Sequence, residues 1–360
     1  MDRSIKVKKL DTDPKGRTIA ISDIHADCDS YLALLDKIHY QKNVDRLIIV
    51  GDFLEKGIQN LQILHLLMKQ AETEDIHLVM GNCDFVCKNA LYSYRLNFLK
   101  KVLLQRKESI LHEMAQAIGI TFNEQTNMEV FAQKLRQHFL KELSFVNDLP
   151  HVIETNDSLY VHAALKTPEH FGDDFKEVIN ASFFSEGNTY FPKRVIVGHM
   201  PVTEYCHRIA DFNPYYNSIM NVYSIDGGNV VKGKIGQLNA LIFQDNHVSM
   251  DYVSHLPKIK VKHTTRPKNA LPFFITWNKG QVEIRKEKDH QLLVYNSYLN
   301  REFWVPKSYL VNGKANEYTN YEMPLEKGEM VELVRIDQKR AQIKKNGRLG
   351  WTYIDHLEFL

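Results

Sequence analysis

Five short apolar runs, each closing on a small polar cluster, constrain this chain more than any other feature. The clusters are Asp23-Ile24-His25, Gly51-Asp52, Gly81-Asn82-Cys83-Asp84, His162 and Gly198-His199. Between the first three runs, Ser30–Tyr40 and Ile58–Ala71 carry apolar residues at helical spacing, as in Leu32, Leu35, Ile38 and Leu61, Leu64, Leu67. A strand, helix, strand, helix, strand order demands a layered α/β fold. Successive strand ends then form one rim, the usual place for a site on such a sheet. In order, the rim supplies Asp, His, Asp, Asn, His and His, oxygen and nitrogen ligands that suit Mn²⁺, Fe or Zn²⁺.

The remaining chain divides by pattern. Residues 88–147 show helical periodicity with many charges and no strand signal, which predicts a helical insertion. Ser158–Val161 and Arg194–Val197 read as strands leading to His162 and His199. Tyr223 to Gly228 reads as a strand and tight turn, and Leu238–Phe243 with His247–Val253 as a closing hairpin. Residues 1–255 are therefore expected to form a catalytic domain. Residues 256–272, rich in Lys, Arg and Pro, read as a solvated linker. Residues 273–360 read as short alternating strands with an approximate repeat: Trp304 and Trp351 lie 47 positions apart. Small β-barrels are expected, either as two repeats, 273–312 and 313–360, or as one barrel preceded by a degenerate repeat or extra strands, with both tryptophans in barrel cores. Lys100, Lys101, Arg106 and Lys107 read as a solvated helix face.

Composition narrows the class. The formal net charge of +2 gives no bulk attraction for nucleic acid or membranes. No apolar run is long enough to span a bilayer. The polar Met1 to Lys9 segment lacks the apolar centre of a signal peptide. Cys28, Cys83, Cys87 and Cys206 form no disulfide framework. A cytoplasmic, reduced protein is expected.

The Asp-x-His pair puts Asp23 and His25 on one side of an extended strand end. Asp52 has two oxygens with which to bridge two ions, Asn82 offers an amide oxygen, and His162 and His199 complete a second site. Two ions about 3.5–4 Å apart can clamp a phosphate and activate a hydroxide for in-line attack.

Together, Asp23-Ile24-His25, Gly51 to Gly57, Gly81 to Asp84, Val161-His162-Ala163 and Gly198-His199-Met200-Pro201 resemble the calcineurin-like metallophosphoesterase superfamily over about residues 15 to 255. Their order and the Ile225 to Gly228 run resemble its phosphoprotein phosphatase branch, which holds Ser/Thr protein phosphatases and symmetrical diadenosine tetraphosphate hydrolases. The resemblance implies a four-layer α/β/β/α sandwich. It implies that Asp23 and His25 hold a first ion, Asp52 bridges, and Asn82, His162 and His199 hold a second. Pro201 stands where other members have a further ligand, which leaves a first-ion position to water. Leu325 to Leu357 resembles a bacterial SH3-like domain in Lys327-Gly328-Glu329 and Gly350-Trp351.

Three departures qualify the resemblance. Cys83 replaces the family's His, the general acid, and a thiol is a poorer proton donor there. Lys56 replaces an Arg and loses its bidentate fork. Met80 replaces another Arg. Lys56 is expected to contact phosphate, Cys83 to sit behind the ligands or donate weakly, and Asp84 to orient a catalytic partner. The expected activity is Mn²⁺-dependent phosphomonoester hydrolysis, with a Ser/Thr phosphoprotein as first substrate and a dinucleoside polyphosphate or phosphodiester as alternative. The rival is a metal-binding interaction module with little turnover. The SH3-like region is expected to take a peptide or protein ligand.

Overall fold

The computed structural model describes residues 2–245, 247–268 and 271–359. The chain forms two compact units. One is Met1–Pro201 with Asn213–Ser254; the other is Val202–Phe212 with His255–Leu360.

In the first unit the strands are β1 (Val7–Lys9), β2 (Thr18–Ile21), β3 (Arg46–Val50), β4 (Ile76–Val79), β5 (Val152–Glu154), β6 (Ser158–Val161), β7 (Arg194–Val197), β8 (Tyr215–Asn217), β9 (Val222–Ser224), β10 (Leu238–Gln244) and β11 (His247–Val253). They build a five-stranded sheet, β11-β10-β2-β3-β4, and a six-stranded sheet, β1-β5-β6-β7-β9-β8. The expected strand, helix and hairpin order is present, and β6 and β7 match the expected spans.

Alternation explains the layering. Ala20, Ile48, Val50, Tyr160 and Ile196 share one apolar cluster between the two sheets. Their strand neighbours Ile19, Ile21, Leu47 and Ile49 face the opposite way, into a cluster shared with helices. Those helices are α1 (Cys28–Lys37), α2 (Asn60–Thr73), α3 (Val86–Leu91), α4 (Leu96–Gln105), α5 (Ile110–Ala117) and α6 (Met128–Asp148). On the outer face of the other sheet, Val161, Val195 and Val197 pack with α7 (Phe175–Asn180). Helices, sheet, sheet and helix make the expected α/β/β/α sandwich. Polar caps start several helices: Asp27 accepts from Ser30 N at α1, and Ser109 from Leu111 N at α5.

The second unit is antiparallel. Its strands are β12 (Lys258–Val261), β13 (Glu283–Lys288), β14 (Gln291–Asn296), β15 (Arg301–Pro306), β16 (Met330–Asp337), β17 (Arg340–Lys345), β18 (Arg348–Tyr353) and β19 (Leu357–Glu358). They form sheets β13-β14-β15 and β18-β17-β16-β12-β19. Residues 256–272 are not simply a linker. Ile259 and Val261 are buried in the core of the larger sheet, because β12 pairs with β16 and β19. The tryptophans also part company. Trp351 is buried and donates its Nε1–H to Thr319 O, whereas Trp304 is 37% exposed. Trp351 packs with Phe273, Val294 and Phe303, in the cluster of the smaller sheet, not in that of its own sheet. Among the described residues, no helix is long and apolar enough to cross a membrane.

Candidate metal centre

The strand ends bring their polar residues together. Asp23 and His25 follow β2, Asp52 follows β3, Asn82 follows β4, His162 follows β6 and His199 follows β7. Asn82 Oδ1 lies 3.1 Å from His162 Nε2 and 2.8 Å from His199 Nδ1. His162 Nε2 is 3.4 Å from Asp52 Oδ1, and His25 Nε2 is 3.7 Å from Asp23 Oδ1. Ligand atoms of Asp23, Asp52 and His162 lie within 4.8 Å of one another, and so do those of His25, Asp52 and Cys83. Asp52 belongs to both groups, the position a bridging carboxylate needs.

The turns that aim these groups are tight. Asp23, His25, Ala26, Asp52, Glu55, Lys56 and His199 all adopt φ between +50° and +72°. Non-glycine residues reach this region at a cost of about 1–3 kcal/mol each, and such costs cluster at functional sites. Two glycines make the crowding tolerable. A methyl group at Gly81 would strike Asp52 Oδ1, and one at Gly198 would strike Asp23 Oδ2.

The electrostatics suit cations. Burial, and then the neighbouring carboxylates of Asp226 and Asp52, push the Asp23 carboxyl well above its usual range. Burial likewise raises Asp226 to about 6. Burial, helped by Lys56, lowers His25 to about 3, and burial with His162 lowers His199 to about 4. The imidazoles of His25 and His199 are therefore neutral near pH 7 and keep lone pairs for a metal. Buried carboxylates that repel one another, beside neutral imidazoles and an amide oxygen, fit divalent ions and little else.

The remaining candidates are placed as follows. Lys56 Nζ stands 3.4 Å from His25 Nε2, and the carboxylates around it help keep it charged against the cost of burial. Cys83 is buried, and its backbone N–H donates to Asp52 Oδ1 at 2.8 Å. Its thiol is pushed up, first by burial and then by Asp52. Asp84 orients backbone, not a catalytic side chain. Its carboxylate accepts the N–H groups of Gly81, Asp52 and Leu54 at 2.8, 3.0 and 3.1 Å.

The sequence reading missed Glu55 and misplaced Arg106. Glu55 is fully buried and accepts from Arg106 Nη1 at 2.5 Å, Ser109 Oγ at 2.7 Å and Ile110 N at 2.9 Å. Arg106 is therefore not part of a solvated helix face. The available signal was Glu55 itself, an acid inside a Gly-bounded motif with no local partner. Asp226 does more than make a turn: it is buried beside Asp23, and its Oδ1 accepts from Gly228 N at 2.7 Å.

Three solved structures similar to the chain illustrate the range. A protein described as a "putative diadenosine tetraphosphatase" is 17% identical, with a TM-score of 0.47, over 70% of this chain and 100% of that one. A serine/threonine phosphatase from Saccharomyces cerevisiae is 12% identical, with a TM-score of 0.43, over 71% and 85%. A metallophosphoesterase from Sphaerobacter thermophilus is 18% identical, with a TM-score of 0.36, over 66% and 88%. No curated protein matches the sequence. Residues 16–227 match the calcineurin-like phosphoesterase family, whose members use a binuclear metal centre, and the chain belongs to that family.

Proposed function

We propose that the chain is a two-metal phosphoesterase in which Asp23 and His25 hold one ion, Asn82, His162 and His199 hold the other, and Asp52 bridges them. The observation that carries this is the placement of Asp52, whose ligand atoms lie within 4.8 Å of those of Asp23 and His162 and also of His25, with its Oδ1 3.4 Å from His162 Nε2. When bound, the two ions activate water and polarise the phosphoryl oxygens. Lys56, charged and beside His25, neutralises a phosphoryl oxygen. Asp84 holds the Asp52 loop through two backbone N–H groups, those of Asp52 and Leu54, and its own turn through that of Gly81. Cys83 Sγ lies with the ligand atoms of His25 and Asp52, and its buried thiol, pushed up, is a poor proton donor, which favours ester oxygens that leave without protonation. Mn²⁺ suits the mixed imidazole, carboxylate and amide set.

A phosphorylated Ser or Thr side chain, carried by a folded protein, needs an open approach to the ions. The cavity that reaches Asn82 is concave and about 260 Å³, just below the roughly 300–1,000 Å³ of small-molecule sites. Two substrate classes therefore stand, a Ser/Thr phosphoprotein first and a dinucleoside polyphosphate or phosphodiester second, and the concavity beside Asn82 is the feature that suits the smaller. The protein is expected to act in the cytoplasm, and the antiparallel second unit to serve as a peptide-binding SH3-like module. The test is turnover of an aryl phosphate with and without Mn²⁺. Two bound ions without turnover would instead support the metal-binding module.

A further inference from the structure

Lys56 lies on a turn that two acids fasten to the helical insertion. Glu55 and Lys56 both adopt left-handed backbone, with φ of +72° and +71°, so the turn needs support from outside. Asn60, fully buried at the start of α2, brackets the lysine. Its Oδ1 accepts the Glu55 N–H at 2.7 Å, and its Nδ2 donates to Gly57 O at 2.9 Å. Those peptide groups belong to the residues on either side of Lys56. Glu113 of α5 then fixes Asn60. Its Oε1 accepts the Asn60 backbone N–H at 2.8 Å and Nδ2–H at 2.7 Å, and its Oε2 accepts the Leu61 N–H at 2.8 Å. In return, Glu55 accepts the Ser109 Oγ–H and the Ile110 N–H at the start of α5. The opposite flank of the turn rests on the metal-site loop. There Gln59 N donates to Ala26 O, and a methyl group at Gly57 would strike His25 O.

Helix capping alone does not explain this arrangement. Gln59, the N-cap residue of α2, makes no side-chain cap bond; its Oε1 accepts instead from Asp29 N at 3.2 Å. The acid that caps the helix lies 53 positions beyond Asn60. A local Ser or Asp would cap α2 without touching the turn. Glu113 instead holds the side chain that brackets Lys56. Lysine is a point charge on a flexible four-carbon stem, without the fork of arginine, so its reach depends on where its backbone is held. We propose that Asn60, fixed by Glu113, is a positioning residue for Lys56, so that the helical insertion sets where the ammonium group meets a phosphoryl oxygen. The inference rests on the two-metal phosphoesterase reading, in which Lys56 neutralises that oxygen.

The test is calorimetric titration of the Mn²⁺-loaded full chain with inorganic phosphate, in a double-mutant cycle of Lys56→Ala and Glu113→Gln. In Glu113→Gln an amide NH₂ replaces one acceptor oxygen, so a donor at the start of α2 loses its partner. Lys56→Ala should weaken phosphate about tenfold or more, the scale of one charge-assisted hydrogen bond. Glu113→Gln should weaken it at least about threefold when Lys56 is present, and by less than about twofold in the Lys56→Ala background. Bound metal, counted in each variant, should be unchanged. Ser109→Ala, which loosens Glu55 more gently, should show the same dependence on Lys56 and serves if Glu113→Gln does not fold. A loss that persists in the Lys56→Ala background overturns the inference, because general loosening does not need the lysine. So does a lost ion, or phosphate binding that is absent or indifferent to Glu113 or Lys56. Turnover of an aryl phosphate separates the two readings. Coupling without turnover would uphold the positioning and remove the hydrolase; turnover without coupling would do the reverse.

Discussion

The Asp84 carboxylate holds the backbone N–H of Asp52 at 3.0 Å, so the acid next to Cys83 supports the bridging residue from behind. The same carboxylate takes the Leu54 and Gly81 N–H groups. Asp84→Ala would leave these donors buried without partners, at about 1–3 kcal/mol for each one stranded. We expect a lower melting temperature and a metal affinity reduced about 10–100-fold, as when groups behind metal ligands are lost. Equilibrium dialysis with Mn²⁺ reads this directly. Unchanged affinity in the folded variant would mean that the Asp52 loop needs no such support.

Asp52→Asn removes charge from the bridge while preserving shape. Activity on an aryl phosphate at saturating Mn²⁺ should fall by more than the roughly 10–100-fold that supporting residues contribute. Parent-level turnover would refute the two-ion arrangement.

Gly198→Ala tests the packing beneath the first ion. The added methyl group meets Asp23 Oδ2 and the Ser22 side chain, so Asp23 must move. Metal analysis of the purified variant should show one ion retained where the parent is expected to hold two. Two tightly held ions would show that Asp23 can shift without losing its role.

Metal uptake should be coupled to pH through carboxylates, not through His25 or His199. Asp23 is raised by burial and by Asp226 and Asp52, and burial raises Asp226 to about 6. The metal-free site therefore holds protons near pH 6 that binding expels, and affinity should rise as pH rises. His25 at about 3 and His199 at about 4 are already neutral there and release none. Calorimetry in two buffers of different ionisation heat counts the protons. Asp226→Asn, which relieves the repulsion on Asp23, should flatten the dependence; an unchanged slope would contradict this origin.

Much of the site was legible because period-two alternation and a polar strand end are local signals. Ile19, Ala20 and Ile21 face alternate sides and deliver Asp23 to the rim. What escaped depended on distance. Glu55 and Arg106 are 51 residues apart, and nothing near either one advertises the pair. β12 has only Ile259 and Val261 as apolar contacts, too few to stand out among lysines. The tryptophan repeat misled because position along a strand does not reveal which cluster a face meets: Trp351 entered the core of the neighbouring sheet, and Trp304 stayed partly in solvent.

Val202, three residues beyond His199, begins a short excursion into the second unit that ends at Phe212. There, Phe212 N donates to Gly347 O and Leu349 N to Ala210 O, and both Ala210 and Phe212 are buried. A domain appended at a chain end can be gained or shed in one genetic event. This one cannot, because the unit is encoded in two separated stretches with β8 to β11 of the first unit between them. A protease that cut only at Ser254 would leave the pieces associated until denatured. The two units therefore pass through evolution as a single heritable block.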